Sequence, residues 1–241
     1  TWGGTKDDYG LGVSSDSAGN VYCSGYFWSS AVDFDPGPET EIFTSHGWWD
    51  AFLSKLDSDG NFEWAGAWGG TYQDDAAGVS VDEYDDVYVT GRFYYTVDFD
   101  PDPIDVAERT AVLSADAYLS KFTPDGDLQW VFAWGGQTLD KCLEVETNKS
   151  GKVNVAGEVL GRNMIKNFDL DGNEVWIADW YQNANILGLD VSAEGNSFCS
   201  GQYKSPSYVD FDPGDGEWYS DNFAGGVDSF IIKVLPNGLW Y

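Results

Sequence analysis

The segment Asn61-Phe-Glu-Trp-Ala-Gly-Ala-Trp-Gly-Gly70 recurs along this chain and decides its predicted fold. Its apolar residues alternate with others, so that Trp64 and Trp68 lie on one face of a predicted strand. All or part of the same phrase returns at residues 127–136, 173–180 and 2–4. Because its ending opens the chain and a possible beginning, Gly238-Leu-Trp-Tyr241, closes it, we predict a ring of repeats.

Each repeat predicts four strands. The first is rich in glycine and alanine, the second ends in glycine, the third is apolar and the fourth carries the tryptophans. A hairpin signal precedes every fourth strand: Asp59-Gly60, Asp125-Gly126, Asp171-Gly172 and Asn237-Gly238. Four-stranded antiparallel units repeated around an axis predict an all-β, four-bladed β-propeller.

We expect residues 1–241 to form one propeller domain. The repeats cover about 5–70, 71–136, 137–181 and 182–241, with residues 1–4 completing the last one, because the tryptophans are 66, 66 and 46 residues apart. The third blade is therefore predicted to be short, and the N- and C-terminal segments are predicted to close the ring.

The composition excludes several classes of partner. A formal charge of −29, from 41 acidic and 12 basic residues, repels nucleic acid and anionic membranes. No run of apolar residues is long enough to span a membrane, so we predict no membrane insertion. The acidic surface and the scarcity of lysine and arginine favour a calcium-rich extracellular or cell-surface setting.

The motifs also resemble a known family. Trp68-Gly-Gly70, Val97-Asp-Phe-Asp-Pro101 and Asp50-Ala-Phe-Leu-Ser-Lys-Leu56 are similar to bacterial β-propeller repeats of the SBBP type. The resemblance covers nearly the whole chain, although repeat three lacks the middle motif and repeat four lacks Trp-Gly-Gly. It implies a large secreted or surface protein and assigns no reaction.

A long acidic excursion separates the second and third strands in repeats one, two and four. Each excursion holds an Asp-Phe-Asp motif and one later aspartate before the third strand. The candidate metal ligands are Asp33, Asp35, Asp50, Asp98, Asp100, Asp116, Asp210, Asp212 and Asp228. Carboxylates converging with backbone carbonyls suit Ca²⁺. The alternative is a metal-free network of Asx turns with the phenylalanines as core anchors.

Repeat three provides an internal comparison for these sites. Its excursion is absent, and Arg162 occupies the position that Asp116 has in repeat two. We therefore expect the excursion and the later aspartate to belong to one site, whether it is bound to metal or hydrogen-bonded.

A second acidic set follows each Trp-Gly-Gly phrase by a few residues. Asp8, Asp74 and Asp140 are predicted at the entry to the innermost strand, around one mouth of the channel. They can bind a cation or ligand hydroxyl groups there, or they can cap the strands. Trp48 and Trp49 are the aromatic candidates for ligand binding.

The three cysteines do not form a disulfide framework. Cys23 and Cys199 occupy the repeat position that Val89 and Val155 hold elsewhere, which indicates small buried hydrophobic residues.

The sequence leaves three candidate functions. His46 is the only histidine, so the usual catalytic triads and zinc sites lack residues. The favoured prediction is a non-catalytic, calcium-stabilised structural or interaction module of a secreted assembly, binding other protein chains or itself. One alternative is a glycan-binding propeller that stacks sugars on tryptophan. The other is a polysaccharide-cleaving enzyme that uses acids at the channel mouth.

Overall fold

The chain forms a four-bladed β-propeller, as predicted. The structure, a computed structural model, describes residues 2–181, 184–204 and 226–240. The residues in these ranges contain no helix, and their strands form four small antiparallel sheets around an axis, together with one two-stranded hairpin. No helix in the described ranges is long and apolar enough to cross a membrane.

Blades 1 and 2 each contain four strands that run outward from the axis. The strands of blade 1 and its side hairpin are β1 (Asp8–Ser15), β2 (Val21–Phe27), β3 (Val32–Asp33), β4 (Ile42–Phe43), β5 (Asp50–Leu56) and β6 (Phe62–Trp68). Those of blade 2 are β7 (Asp75–Val81), β8 (Val87–Asp98), β9 (Glu108–Phe122) and β10 (Leu128–Trp134). The sheet orders are β1-β2-β5-β6 and β7-β8-β9-β10, which place the tryptophan strand outermost.

Blades 3 and 4 repeat this order. The strands of blade 3 are β11 (Lys141–Asn148), β12 (Lys152–Val159), β13 (Arg162–Asp169) and β14 (Glu174–Tyr181). Those of blade 4 are β15 (Ala184–Val191), β16 (Ser197–Lys204) and β17 (Val227–Val234). Trp240 forms an isolated bridge with Val234, where the fourth strand of blade 4 is expected to begin.

The predicted hairpins are present before each fourth strand. The glycine of each pair has a positive φ, between +82° and +93°, a region that glycine enters without steric cost. In the first of these turns the Gly60 N–H donates to the Asp57 carbonyl at 2.9 Å. The turn residues read from the sequence therefore fix the register of β5 and β6.

The excursions differ between the blades. In blade 1 the segment forms the small β3–β4 hairpin, whereas in blade 2 β8 and β9 continue past the blade as one long hairpin. Tyr95 and Leu113 adopt positive φ values where this long hairpin is irregular. In blade 3 only Leu160 and Gly161 join the two strands, which confirms the short third blade.

Most of the core lies between neighbouring blades. Trp68, at the end of β6, packs on blade 2, with its ring centroid 5.4 Å from that of Phe122. Trp134 packs on Phe168 of blade 3 in the same way, at 5.6 Å. Each tryptophan strand therefore covers the next blade, as expected for repeats that cannot bury their apolar faces alone.

The seam between blades 4 and 1 differs from the three internal junctions. Trp2 packs on blade 1 at 4.6 Å from Phe34 and 4.8 Å from Phe52, which is the place Trp68 takes on blade 2. At the axis, β7 packs against β1 and β11, and β11 packs against β15. Within the described ranges, β15 and β1 do not pack together in this way. Within the described ranges, the inner strands therefore pack as a curved row around the axis, with β1 and β15 at its two ends.

Candidate functional site

The strand-entry aspartates Asp8, Asp74 and Asp140 act as backbone clamps. Each accepts a hydrogen bond from the second glycine of the preceding Trp-Gly-Gly phrase, with distances of 2.6, 2.8 and 2.6 Å. The other carboxylate oxygen of each aspartate accepts from a backbone N–H of the second strand of the blade or of the residue that follows it. These donors are Trp28 at 3.1 Å, Tyr94 at 2.8 Å and Leu160 at 2.6 Å.

This geometry matches the strand-capping alternative for the second acidic set. Asp74 and Asp140 are completely buried, so a ligand in the channel cannot reach them without local opening. Asp8 keeps part of its surface exposed. A carboxylate that accepts two backbone N–H groups holds two chain segments together.

The later aspartates Asp50 and Asp116 are also buried, with 1% and 4% of their surface exposed. Oδ2 of Asp50 accepts from the backbone N–H of His46 at 2.9 Å and lies 2.9 Å from its Nδ1. Oδ2 of Asp116 accepts from the Val112 N–H at 3.2 Å. Within the described part of the chain, the Oδ1 atom of each is buried and has no hydrogen-bond partner. Such an atom costs free energy unless a proton or a cation satisfies it.

The structure joins the two acidic sets across the blade junctions. The Asp74 N–H donates to the carbonyl of Trp49, next to Asp50, at 2.8 Å. Burial raises the pKa of Asp74 to about 7, and the charge of Asp50 adds to the rise. The corresponding pair is Asp116 and Asp140, where burial and then the Asp140 charge raise the pKa of Asp116. Each pair joins the third strand of one blade to the first strand of the next.

The third junction lacks both carboxylates. Arg162 holds the Asp116 position, and Ala184 holds the Asp8 position at the entry to β15. Arg162 instead pairs with Asp179 on β14, with 2.6 Å between Nε and Oδ2. This paired loss was visible in the sequence, but assigning it to one site required knowing which blades touch.

The Asp-Phe-Asp motifs of blades 1 and 2 form Asx turns. Oδ1 of Asp33 accepts from the N–H groups of Asp35 at 3.1 Å and Glu41 at 2.9 Å. Oδ1 of Asp98 accepts from Asp100 at 3.2 Å and Ala107 at 2.8 Å. The intervening Phe34 and Phe99 are buried.

The remaining candidate metal ligands belong to repeat four. Asp210 and Asp212 lie outside the described residues, and Asp228 is partly exposed at the start of β17. In the described ranges, no three His, Cys, Asp or Glu side chains come together in a way that could hold a metal ion. Calcium at Asp33, Asp35 and Asp50, or at their counterparts, stays a prediction.

Trp48 and Trp49 belong to two aromatic stacks on blade 1. Trp48 is 51% exposed and lies parallel to Trp28, with ring centroids 5.7 Å apart. The Lys6 ammonium sits 4.3 Å from the Trp28 ring centroid on a cation–π contact. Trp49 stacks on Tyr26 at 4.6 Å.

The sequence did not predict Lys6 or Tyr26 as members of this surface. Tyr9 also lies 5.0 Å from the Tyr26 ring, on the neighbouring strand. These residues are far apart along the chain and meet only because β1 and β2 pair. We call the residues Lys6, Tyr9, Tyr26, Trp28, Trp48 and Trp49 the aromatic surface.

The opposite end of the axis holds an open cavity of about 450 Å³. It is lined by the turns between the first and second strands of all four blades. Most of the side chains there are polar, four of them are acidic, and Asp16 and Asp82 are held by their own turns. The four turns thus surround one space at the axis.

Comparison with known proteins agrees with a repeat fold. No family model matches the chain. An uncharacterized WD repeat-containing protein, L264 of Acanthamoeba polyphaga mimivirus, is 24% identical over 186 residues. The match covers 67% of this chain and 13% of the viral protein, so the chain spans only a small part of that relative.

Proposed function

We propose that this chain is a non-catalytic protein-interaction module and that the aromatic surface of blade 1 is its contact region. The exposed, stacked ring of Trp48 carries this proposal. Exposed tryptophan and tyrosine side chains supply a large contact area at low cost in conformational entropy and dominate many binding interfaces. The propeller fold and the WD-repeat relative support the same assignment.

The side chains of the aromatic surface pack on one another before any partner binds. The Trp28 ring centroid lies 4.3 Å from the Lys6 ammonium and 5.7 Å from the ring centroid of Trp48. A rigid surface loses little freedom on binding, which favours affinity. The net charge of −29 favours a partner that presents a positive patch beside its apolar contact.

A glycan is the second candidate ligand, because the half-exposed Trp48 offers a flat ring for sugar stacking. A peptide display library and a glycan array, each tested with the parent protein and Trp48→Ala, separate the two. We expect peptide binders that lose at least tenfold in affinity with Trp48→Ala. Tyr84→Ala is the matched control, since Tyr84 is 64% exposed on the β7–β8 turn. Selection of sugars alone, or binders indifferent to Trp48→Ala, would contradict the proposal.

We also propose that Ca²⁺ stabilises the fold and that the protein acts in a secreted or cell-surface assembly of the SBBP type. The unpartnered Oδ1 atoms of Asp50 and Asp116 support the first point, because a cation beside two buried carboxylates satisfies them. The acidic composition and the repeat motifs support the second.

A further inference from the structure

The two free ends of the row of blades carry the two halves of one interface. We propose that two copies of this chain associate head to tail, with the outer face of blade 4 on one copy against the free face of blade 1 on the next. This goes beyond the proposed function, since it uses neither Trp48 nor the aromatic stacks.

The three internal junctions provide the template. In each, an aliphatic side chain from the third strand of one blade is buried against the first strand of the next blade. The residues that face forward are Leu53, Leu119 and Ile165, which are 1%, 0% and 0% exposed. The residues that face backward are Val79, Val145 and Leu189, which are 7%, 2% and 8% exposed.

At the two free faces the same positions are uncovered. Ile231 pairs with Ser200 as Leu53 pairs with Ser24, so it is the forward residue of blade 4, and it is 73% exposed. Val13 pairs with Cys23 and is the backward residue of blade 1, at 69% exposed. Large aliphatic side chains in both halves therefore lack the burial they have elsewhere in the chain.

A glycine on the inner strand points to the same contact. A methyl group added at Gly78 would lie 3.1 Å from the backbone of Leu143 and Val145 on the next blade. Gly188 holds the same position in blade 4, where the nearest atom of a described residue is Ser200 Oγ of its own blade at 3.2 Å. The sequence keeps a glycine that permits close approach of a neighbouring strand.

The outer turn of blade 1 is also uncovered. A methyl group added at Gly126 or Gly238 would lie 3.2 or 3.1 Å from the ring of Trp64 or Trp176 on the preceding blade. The same turn in blade 1 has Gly60, which is exposed and has no neighbour in the described ranges within 4 Å. Among the described residues, blade 1 is thus uncovered at both its inner and outer ends.

The face of blade 4 forms a groove suited to this partner. The groove has a volume of about 470 Å³ and is lined by Gly188, Leu189, Asp190, Phe198, Ser200 and Ile231. Of its lining residues, Gly188 and Ile231 occupy repeat positions that elsewhere contact the following blade, whereas Leu189 faces blade 3. A second copy supplies the matching half, because its Val13 and Cys23 stand where Val79 and Val89 stand in blade 2.

Sedimentation of the full chain over a range of concentrations tests the proposal. We expect the parent to associate, and Val13→Glu or Ile231→Glu alone to be monomeric. Both sites are mostly exposed, so neither change should prevent folding. A mixture of the two variants should form a 1:1 dimer, because each retains one intact face. The double variant should not associate, and Val112→Glu, at a 49% exposed site on blade 2, is the control that should behave as the parent.

Cys23 provides a second readout. It is partly exposed on the free face of blade 1, whereas Cys142 and Cys199 are completely buried. Alkylation of Cys23 should be slow in the associated parent and at least several-fold faster in Ile231→Glu. A parent that stays monomeric would overturn the proposal. If Ile231→Glu then also lowered the melting temperature and exposed Cys23, blade 1 of the same chain would be the occupant. Neither result would affect the Trp48 test.

Discussion

The indole nitrogen of Trp64 donates a 3.1 Å hydrogen bond to the carbonyl oxygen of Pro124, which joins the outer strand of blade 1 to a turn of blade 2. Lys55 Nζ donates to the same oxygen, also at 3.1 Å. Between blades 3 and 4, the indole nitrogen of Trp176 donates an equivalent hydrogen bond to the Pro236 carbonyl oxygen at 2.9 Å. Between blades 2 and 3, Lys121 Nζ donates to the Leu170 carbonyl oxygen at 3.5 Å.

Replacing Trp64 tests this link. Trp64→Phe keeps a ring over the turn and removes the donor, so the free energy of unfolding should fall by about 0.5–1.5 kcal/mol. Trp64→Ala also removes packing area and should cost more. Urea unfolding measures both. Trp176→Phe should cost a similar amount, and a parent-like Trp64→Phe would show that the bond adds nothing beyond the lysine contact.

Calcium should raise the melting temperature if the interblade carboxylates hold it. A ligand at about 100 times its Kd stabilises a fold by about 2.7 kcal/mol, which corresponds to roughly 5–10 °C for a domain of this size. We expect the shift between calcium and excess chelator to shrink in Asp50→Asn/Asp116→Asn.

Asp35→Asn/Asp100→Asn separates the two candidate locations. If the excursions hold the ion, this second variant should lose the shift as well. Identical melting of the parent in calcium and in chelator would refute calcium stabilisation at either place.

The raised pKa of Glu146 predicts that the free energy of unfolding depends on pH. Burial, followed by the charges of Asp190 and Glu144, raises its pKa to about 7 in the folded state. The native state therefore binds a proton that the unfolded chain releases near pH 4.5. The resulting stabilisation is complete below about pH 4.5 and is lost as the pH rises through 7.

The measurement is the difference in free energy of unfolding between the parent and Glu146→Gln at pH 5 and pH 8. The parent should lose stability relative to the variant on going to pH 8. Glu83→Gln, on the exposed β7–β8 turn, is the control for the same chemical change at the surface. A pH-independent difference for Glu146→Gln would count against the raised pKa.

Gly78 and Gly188 form a matched pair at equivalent positions. Gly78→Ala places a methyl group against backbone atoms 3.1 Å away in blade 3, which cannot move without shifting a strand. We expect a loss of about 1–3 kcal/mol. In the monomer, the methyl group of Gly188→Ala meets, among the described residues, only a serine hydroxyl, so this change should be nearly neutral. Thermal unfolding at low protein concentration compares them, and equal losses would contradict the free face on blade 4.

The sequence predicted the local parts of this fold well. The Asp-Gly turns, the outermost tryptophan strand and the short third blade follow from spacing and turn chemistry, which act over a few residues. The long β8–β9 hairpin could not be predicted in this way. The same five residues, Val-Asp-Phe-Asp-Pro, occur in blade 1 and blade 2, but the strands around them differ in length.

The candidate site was harder to predict because its contacts cross between blades. Asp50 and Asp74 were assigned to different sets, since their pairing depends on how blade 2 sits on blade 1. The stacking of Tyr26 with Trp49 depends likewise on strand pairing and loop return. A capping role for Asp74 was predictable as an alternative, because a carboxylate at a strand entry commonly receives backbone N–H groups.

The free ends at β1 and β15 have a consequence for how the protein unfolds. In the isolated chain, blades 2 and 3 are each supported on both sides, whereas blades 1 and 4 are supported on one. The stability of repeat proteins is roughly a sum of unit and nearest-neighbour contributions. The amide hydrogens of the two end blades should therefore exchange with solvent first, and those of β8 and β12, in the middle of the row, should exchange last.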